Sequence, residues 1–224
     1  MRRALPLLCL ALALPLSACG DDDESSSGDE QKQTTSAPAR SAGGCEPVAQ
    51  PQARPEGGAR QPKKELENGD WSVTVETNCG SFTIGLDLKS APKTSASFVA
   101  LARDGFYDGT VFHRIVPGFV IQGGDPAGTG AGGPGYKTVD EPLSDAKYTQ
   151  GVVAMAKAGD EAPGTSGSQF FVVTGADAGL PPEYAVLGKV TKGLDVAEKI
   201  GRLGDAAEQP TETIVIRSMK VSGP

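Results

Sequence analysis

Apolar and polar residues begin to alternate at Trp71. Trp71, Val73 and Val75 fall on one face, as do Phe82, Ile84 and Leu86, with the period of two that marks a strand buried on one side. Thr77-Asn78-Cys79-Gly80-Ser81 lies between them, and this cluster of turn residues predicts a hairpin. The period then changes. Thr94, Phe98 and Leu101 recur at i, i+4 and i+7, which predicts a helix capped by Ser90, with Pro92 in its first turn and Gly105 closing it. Further strands are expected over residues 111–115, 119–122, 152–155, 170–174, 186–190 and 214–221, most of them bounded by Gly or Pro. A second helix fits residues 194–200, where Leu194, Ala197 and Ile200 share a face. Eight short strands and two helices over residues 70–224 predict a mainly β fold. The expected form is a closed eight-stranded antiparallel barrel capped by two α-helices. Closure would remove exposed strand edges. No internal repeat is present.

Upstream of Trp71 nothing has a core-building period. Arg2 and Arg3 precede an apolar run over residues 4–16, too short to span a bilayer and typical of an export leader. The run ends in Leu16-Ser17-Ala18-Cys19, which resembles the bacterial lipobox. The resemblance implies a signal peptide over residues 1–18 and acylation of Cys19, hence a lipid-anchored domain on the extracytoplasmic side of a cell membrane; the alternative is an ordinary signal peptide cleaved after Ala18, with Cys19 incidental. Residues 19–69 begin with Asp21-Asp22-Asp23-Glu24, continue rich in Ser, Gly, Gln and Thr, and carry Pro47, Pro51, Pro55 and Pro62. Such a composition buries too little apolar area to offset chain entropy, so a disordered tether is expected.

Charge and rare residues exclude several classes. The net charge of −7 argues against non-specific nucleic-acid binding. The single histidine, His113, leaves no poly-His metal site, and any Ser-His-Asp triad would have to use it. Cys9 departs with the leader and Cys19 is assigned to the lipid, leaving Cys45 and Cys79. Outside the cytoplasm such a pair tends to form a disulfide; the alternative is two free thiols too far apart to meet. Two Cys without a second His rule out a standard zinc site. Residues 128–133, Gly-Thr-Gly-Ala-Gly-Gly, match a dinucleotide fingerprint, but Pro134-Gly135 follows where that motif needs a helix. A glycine-rich loop bending beside a pocket is the better reading, and no cofactor is expected.

Two segments concentrate the chemistry: residues 112–125, F-H-R-I-V-P-G-F-V-I-Q-G-G-D, and residues 164–174, G-T-S-G-S-Q-F-F-V-V-T. In a strand, residues two apart share a face. Phe112 and Arg114 should therefore share a side, as should Val120 and Gln122, and Gln169 and Phe171. Together they would offer one guanidinium, two amides and several apolar groups to a small pocket. His113 should face away from Arg114 and serve as scaffold.

These segments, together with Gly105-Phe106-Tyr107-Asp108-Gly109, Met155-Ala156 and Leu187-Gly188-Lys189-Val190, resemble the cyclophilin family of peptidyl-prolyl isomerases from about Trp71 to Val221. The resemblance implies the same barrel and an enzyme that rotates X–Pro bonds of exported proteins as they fold. It implies catalytic roles for Arg114 and Gln122 and a proline pocket of Phe119, Val120, Phe171 and Leu180. Ala156, Lys157 and Gln169 would contact the peptide preceding proline, and Tyr184 would line the rim. Implied partners are proline-containing polypeptides and, through Cys19, the bilayer, with the protein itself a monomer. Many members have Trp where this chain has Gly179, His at Tyr184, Met at Val120 and Asn at Lys157. Loss of the Trp predicts weak cyclosporin binding, and Lys157 would favour acidic substrates. The alternative function is a proline-peptide binding or chaperone module with little turnover, which the intact Arg114 disfavours. A solute-binding lipoprotein would need two α/β lobes.

Overall fold

The computed structural model describes residues 44–224. The leader, the expected lipidation site Cys19 and the acidic run lie outside the described residues. Twelve elements follow in chain order: β1 (Ser72–Thr77), β2 (Gly80–Leu86), α1 (Pro92–Arg103), β3 (Val111–Val116), β4 (Val120–Asp125), β5 (Thr138–Val139), β6 (Val152–Met155), β7 (Thr165–Ser166), β8 (Phe170–Val173), β9 (Val186–Lys192), α2 (Leu194–Gly201) and β10 (Ile216–Ser222). Eight of the strands form one antiparallel sheet in the order β10-β1-β2-β9-β6-β8-β4-β3. The two-residue strands β5 and β7 pair separately and had no sequence signal.

The sheet curls but does not close into the expected barrel. Its edge strands β3 and β10 share no ladder. They meet in one bridge, Val111 with Val215, and in backbone hydrogen bonds from Phe112 to Ile214 (3.0 Å) and from Ile216 to Thr110 (2.8 Å). These contacts lie where both strands begin, and further along β3 Ile115 N–H donates instead to the carbonyl of Glu208 (3.0 Å).

Alternation fills the inside of the curl. Val73, Val75, Ile84, Phe112, Ile115, Ile121, Phe170 and Val172 are all fully buried. The rings of Phe98 and Phe170 meet edge to face at 5.5 Å, a favoured aromatic geometry. Helix α1 supplies Phe98 and Leu101 to this core, and α2 supplies Ala197 and Ile200.

The start of α1 differs from expectation. Ser90 does not cap it: its Oγ donates to Asp87 (2.6 Å), and the N-cap residue is Ala91. The orphan amide of Thr94 donates instead to Oδ2 of Asp140 (2.6 Å), from far along the chain. At the other end Gly105 has φ 67°. Gly105 N–H donates to Ala102 and Phe106 N–H to Leu101, the paired bonds of a Schellman motif, which needs a left-handed residue there.

Residues 44–69 have no helix or strand, yet they are not a free tether. They run along the sheet domain as a strap. Cys45 is bonded to Cys79 in the first hairpin, with 4.3 Å between the Cα atoms. Asn78 Nδ2 donates to the carbonyl of Glu46 (2.8 Å). Ala59 and Leu66 pack against the core, and Trp71 Nε1 donates to the carbonyl of Glu67 (2.9 Å). A disulfide and a few apolar anchors thus hold a polar segment whose average composition argues for disorder.

Candidate active site

The outer faces of β4, β6 and β8 carry a second apolar cluster. Val120, Val152, Ala154, Phe171 and Val173 pack there with Tyr148, flanked by Phe119, Ala156, Leu180 and Tyr184. Phe171 meets the Tyr184 ring edge-on at 5.5 Å, and Tyr184 meets Tyr148 at 5.8 Å. The Tyr148 hydroxyl donates to the carbonyl of Tyr184 (2.8 Å) and accepts from its N–H (2.9 Å). Aromatic edges and a satisfied hydroxyl therefore hold the floor in place.

A cavity of about 330 Å³ opens above this floor, lined by Arg114, Phe119, Val120, Gln122, Ala156, Lys157, Phe171, Leu180 and Tyr184. A neighbouring cavity of about 340 Å³ shares Gln122, Ala156 and Lys157 and adds Gln169. Every residue singled out for catalysis or substrate contact thus lines one continuous groove. The floor is apolar, and the polar groups converge at one edge, as small-molecule and peptide sites require.

The route by which Arg114 reaches the groove departs from simple alternation. Phe112 pairs with Gly123 and Arg114 with Gln122, leaving His113 unpaired in a bulge. A bulge puts two residues of one strand opposite one of its partner and re-aims the side chains. Phe112 consequently points into the core with no exposed surface, while Arg114 lines the groove. The expectation that these two share a side fails for this reason. His113 also leaves the core face and is half-buried. A Cβ at Gly130 would sit 3.5 Å from its Nε2, so the imidazole lies against the glycine-rich loop. Neither ring nitrogen has a well-formed hydrogen bond, the backbone of Val111 offering only a weak one. Burial lowers the His113 pKa, with nearby Asp125 opposing and Arg114 adding to the shift.

Arg114 is held on two sides. Its Nε donates to Oε2 of Glu208 (2.6 Å) and its Nη1 to Oε1 of Gln122 (3.5 Å). The guanidinium carbon lies 6.0 Å from the Phe119 ring centroid. A guanidinium has five N–H donors, so three remain without a protein acceptor among the described residues. Gln122 Nε2 donates onward to Oε1 of Gln169 (3.0 Å). Gln169 Nε2 donates to the carbonyls of Gly130 and Gly132 (2.9 Å each). These bonds fix the orientation of both amides.

The glycine-rich loop behaves as the sequence suggested: it bends beside the pocket. It wraps the carboxylate of fully buried Asp125, which accepts backbone N–H bonds from Ala127 (2.8 Å), Thr129 (2.9 Å), Gly130 (2.6 Å) and Gly132 (3.2 Å). Burial alone would raise the Asp125 pKa, but these four donors hold it below the ordinary value. A Cβ at Gly132 would lie 2.1 Å from Oδ1 of Asp125, so only glycine fits.

Lys157 lines the groove, but its side chain is only 3% exposed and its Nζ pairs with Glu183 at 3.1 Å. Its ammonium also donates to the carbonyl of Glu161 (3.1 Å). It does not present the bare cation expected to favour acidic substrates. Glu208, which the sequence reading missed, is the one non-glycine with positive φ (63°) among the described residues. It is 94 positions from Arg114, and no local pattern marks it. Gly179 leaves open space where a side-chain wall would stand. Among the described residues no group of three or more His, Cys, Asp or Glu is placed to hold a metal.

Residues 72–221 match the family model described as cyclophilin type peptidyl-prolyl cis-trans isomerase/CLD. A peptidyl-prolyl cis-trans isomerase of Arabidopsis thaliana is 40% identical over 154 residues, covering 66% of this chain and 92% of the relative. Peptidyl-prolyl cis-trans isomerase A of Mycobacterium tuberculosis is 41% identical over 170 residues, covering 67% and 92%. Among solved structures, a cyclophilin-type isomerase of Cryptosporidium parvum superposes with a TM-score of 0.63 at 33% identity, covering 68% of this chain and 98% of that one. A second crystal of that protein, in the presence of the dipeptide Ala-Pro, gives 0.62 at 35% identity over 67% and 98%.

Proposed function

The chain belongs to the cyclophilin-type peptidyl-prolyl cis-trans isomerase family and is an enzyme of X–Pro bond rotation, and from that premise we propose how its groove does it and where. The observation that carries the mechanism is Arg114, fixed by Glu208 and Gln122 at the edge of an apolar floor. Rotation about a peptide bond meets a barrier of about 18–20 kcal/mol because resonance stiffens C–N. Twisting the bond breaks that resonance and localises a lone pair on the prolyl nitrogen. A guanidinium N–H aimed at this lone pair stabilises the twisted state more than either planar one, which is what acceleration requires. No covalent step and no proton transfer is needed.

In this reading Phe119, Val120, Phe171 and Leu180 receive the proline ring, with Tyr184 bracing the wall. Gln122 donates to the substrate backbone near the rotating bond, and Ala156, Lys157 and Gln169 border the chain preceding proline. The Cryptosporidium relative crystallised in the presence of Ala-Pro supports a proline-containing ligand for this groove. Cis–trans exchange of an X–Pro tetrapeptide, read by NMR, tests the mechanism. Arg114→Ala should slow catalysed exchange by about 10²–10³-fold, the size of losing one preorganised donor. An unchanged rate would remove Arg114 from the mechanism.

The setting proposed is extracytoplasmic. The enzyme acts as a monomer on exported chains, held to the membrane by acyl groups on Cys19 while the remainder of residues 19–43 spaces the domain from the bilayer. The leader with its lipobox-like end supports this. So does the Cys45–Cys79 disulfide, since such bonds persist mainly in oxidising compartments. X–Pro isomerisation takes tens of seconds uncatalysed, so a folding chain benefits from an isomerase where it emerges. Expressed in a bacterium with lipoprotein export, the Cys19→Ala chain should move from the membrane to the soluble fraction; retention in the membrane would refute the anchor.

A further inference from the structure

The groove does not end at Gln169. A third cavity of about 480 Å³ is lined by Glu56 and Gly57 of the strap and by residues 131–137. It shares Ala131, Gly132 and Lys137 with the cavity that holds Gln169, so the two are continuous. The strap forms a fixed wall there. Arg54, Gly57 and Ala59 donate backbone N–H bonds to the carbonyls of Pro126 (2.9 Å), Gly133 (2.9 Å) and Pro134 (3.2 Å). The Arg54 guanidinium donates to the carbonyl of Phe106. Upstream, the disulfide pins Cys45. Glu56 is close to the known groove: its Cγ lies 3.3 Å from where a Cβ of Gly132 would be, and the carbonyl of Gly132 holds Gln169. The strap lies outside the family-matched residues 72–221.

Charge tells what the extension would accept. Each cation bordering the groove already has a carboxylate partner within the chain: Arg114 with Glu208, Lys137 with Glu161 and Lys157 with Glu183. Glu56 has no ion-pair partner among the described residues. The extension therefore presents an uncompensated carboxylate to a passing chain. We propose that the strap forms an additional subsite for the polypeptide on the N-terminal side of the X–Pro bond, and that Glu56 makes it select a basic residue there. This rests on the reading that the chain preceding proline lies over Ala156, Lys157 and Gln169. It reverses the acidic preference that Lys157 suggested from sequence.

The test uses the mature chain with its strap and disulfide intact. Three substrates are compared by NMR exchange: a tetrapeptide too short to reach the strap, and two longer peptides carrying either Lys or Glu at positions several residues upstream of the proline. The parent protein should favour the Lys peptide in kcat/KM by about two- to fivefold, the range of an exposed ion pair, and the preference should fade at high salt. Glu56→Lys should invert the preference and leave the tetrapeptide rate untouched. Equal kcat/KM for the two long peptides in the parent, or a preference that survives Glu56→Lys, overturns the subsite while leaving the isomerase intact. A parent that does not accelerate even the tetrapeptide overturns the isomerase reading itself, and the subsite with it.

Discussion

On the inner face of β3, β4 and β8, Phe112, Ile115, Ile121, Phe170 and Val172 have no exposed surface. On the outer face of the same strands, Arg114 and Gln122 stay half-buried above Val120 and Phe171, which are 2% and 4% exposed. Both faces are apolar beneath, and they differ in what closes them. The inner face is sealed by helices and by the far side of the curl. The outer floor is kept from water by neighbouring rings and by one fence of hydrogen-bonded polar groups. The floor is thus preformed, and a proline ring can dock without ordering it first, which lowers the cost of binding.

The neighbours Phe170 and Phe171 test this comparison most sharply. Phe170→Ala should lower unfolding free energy by about 3–5 kcal/mol, as large truncations in closed cores do. Phe171→Ala should cost less stability, because the outer cluster can relax toward an open groove. Its larger effect should be a higher KM for X–Pro peptides. Urea unfolding beside steady-state kinetics separates the two, and equal stability losses would erase the distinction between the faces.

Alternation let most of this be read in advance. The period of two named the strands of the main sheet, and the ordered motifs named the residues that line the cavity above the apolar floor, though not Lys137, Glu161 and the loop glycines that border its neighbour. What stayed hidden depended on partners distant in sequence. The bulge at His113 exists because β4 offers no residue opposite it, and the segment F-H-R alone contains no sign of this. The cap on α1 comes from Asp140 rather than the adjacent Ser90. Residues 44–69 read as disordered because composition averages over the few anchors that hold them, Cys45 among them. Lys157 read as an exposed cation because Glu183 reaches it only through the fold.

Glu208 offers a smaller effect that divides the two faces in a different way. Its left-handed backbone is strained for a side chain bearing a Cβ, yet its backbone carbonyl binds the N–H of Ile115 (3.0 Å) and its carboxylate binds Arg114. Strain retained at such a place fits a positioning role. Glu208→Gly should leave stability unchanged or raise it by up to about 1 kcal/mol, while kcat falls several-fold and KM moves little. Glu208→Gln, which keeps an acceptor for Arg114, should recover part of kcat. If activity and stability instead fell together in both variants, Glu208 would be only a structural strut.

The smallest expected effect is on pH. The inner-face residues Phe112, Ile115, Ile121, Phe170 and Val172 are not ionisable, whereas the bulge places His113, the only histidine, against the outer loop beside Asp125 and Arg114. Burial lowers the His113 pKa in the fold, so the unfolded chain takes up its proton first, near pH 6.5. Stability should therefore begin to fall as pH drops through about 6.5, and continue falling until the folded protein also binds the proton. Asp125 acts in a lower window. Its folded pKa is depressed, so its contribution is present above about pH 4 and is lost as pH falls through the folded value. His113→Gln should flatten the upper window and leave the lower one. Phe170→Ala, on the inner face, should lower the whole profile without changing its shape. Thermal unfolding at half-unit steps from pH 7.5 to pH 3.5 reads both. An upper window that persists in His113→Gln would mean that the bulged histidine is not the group responsible.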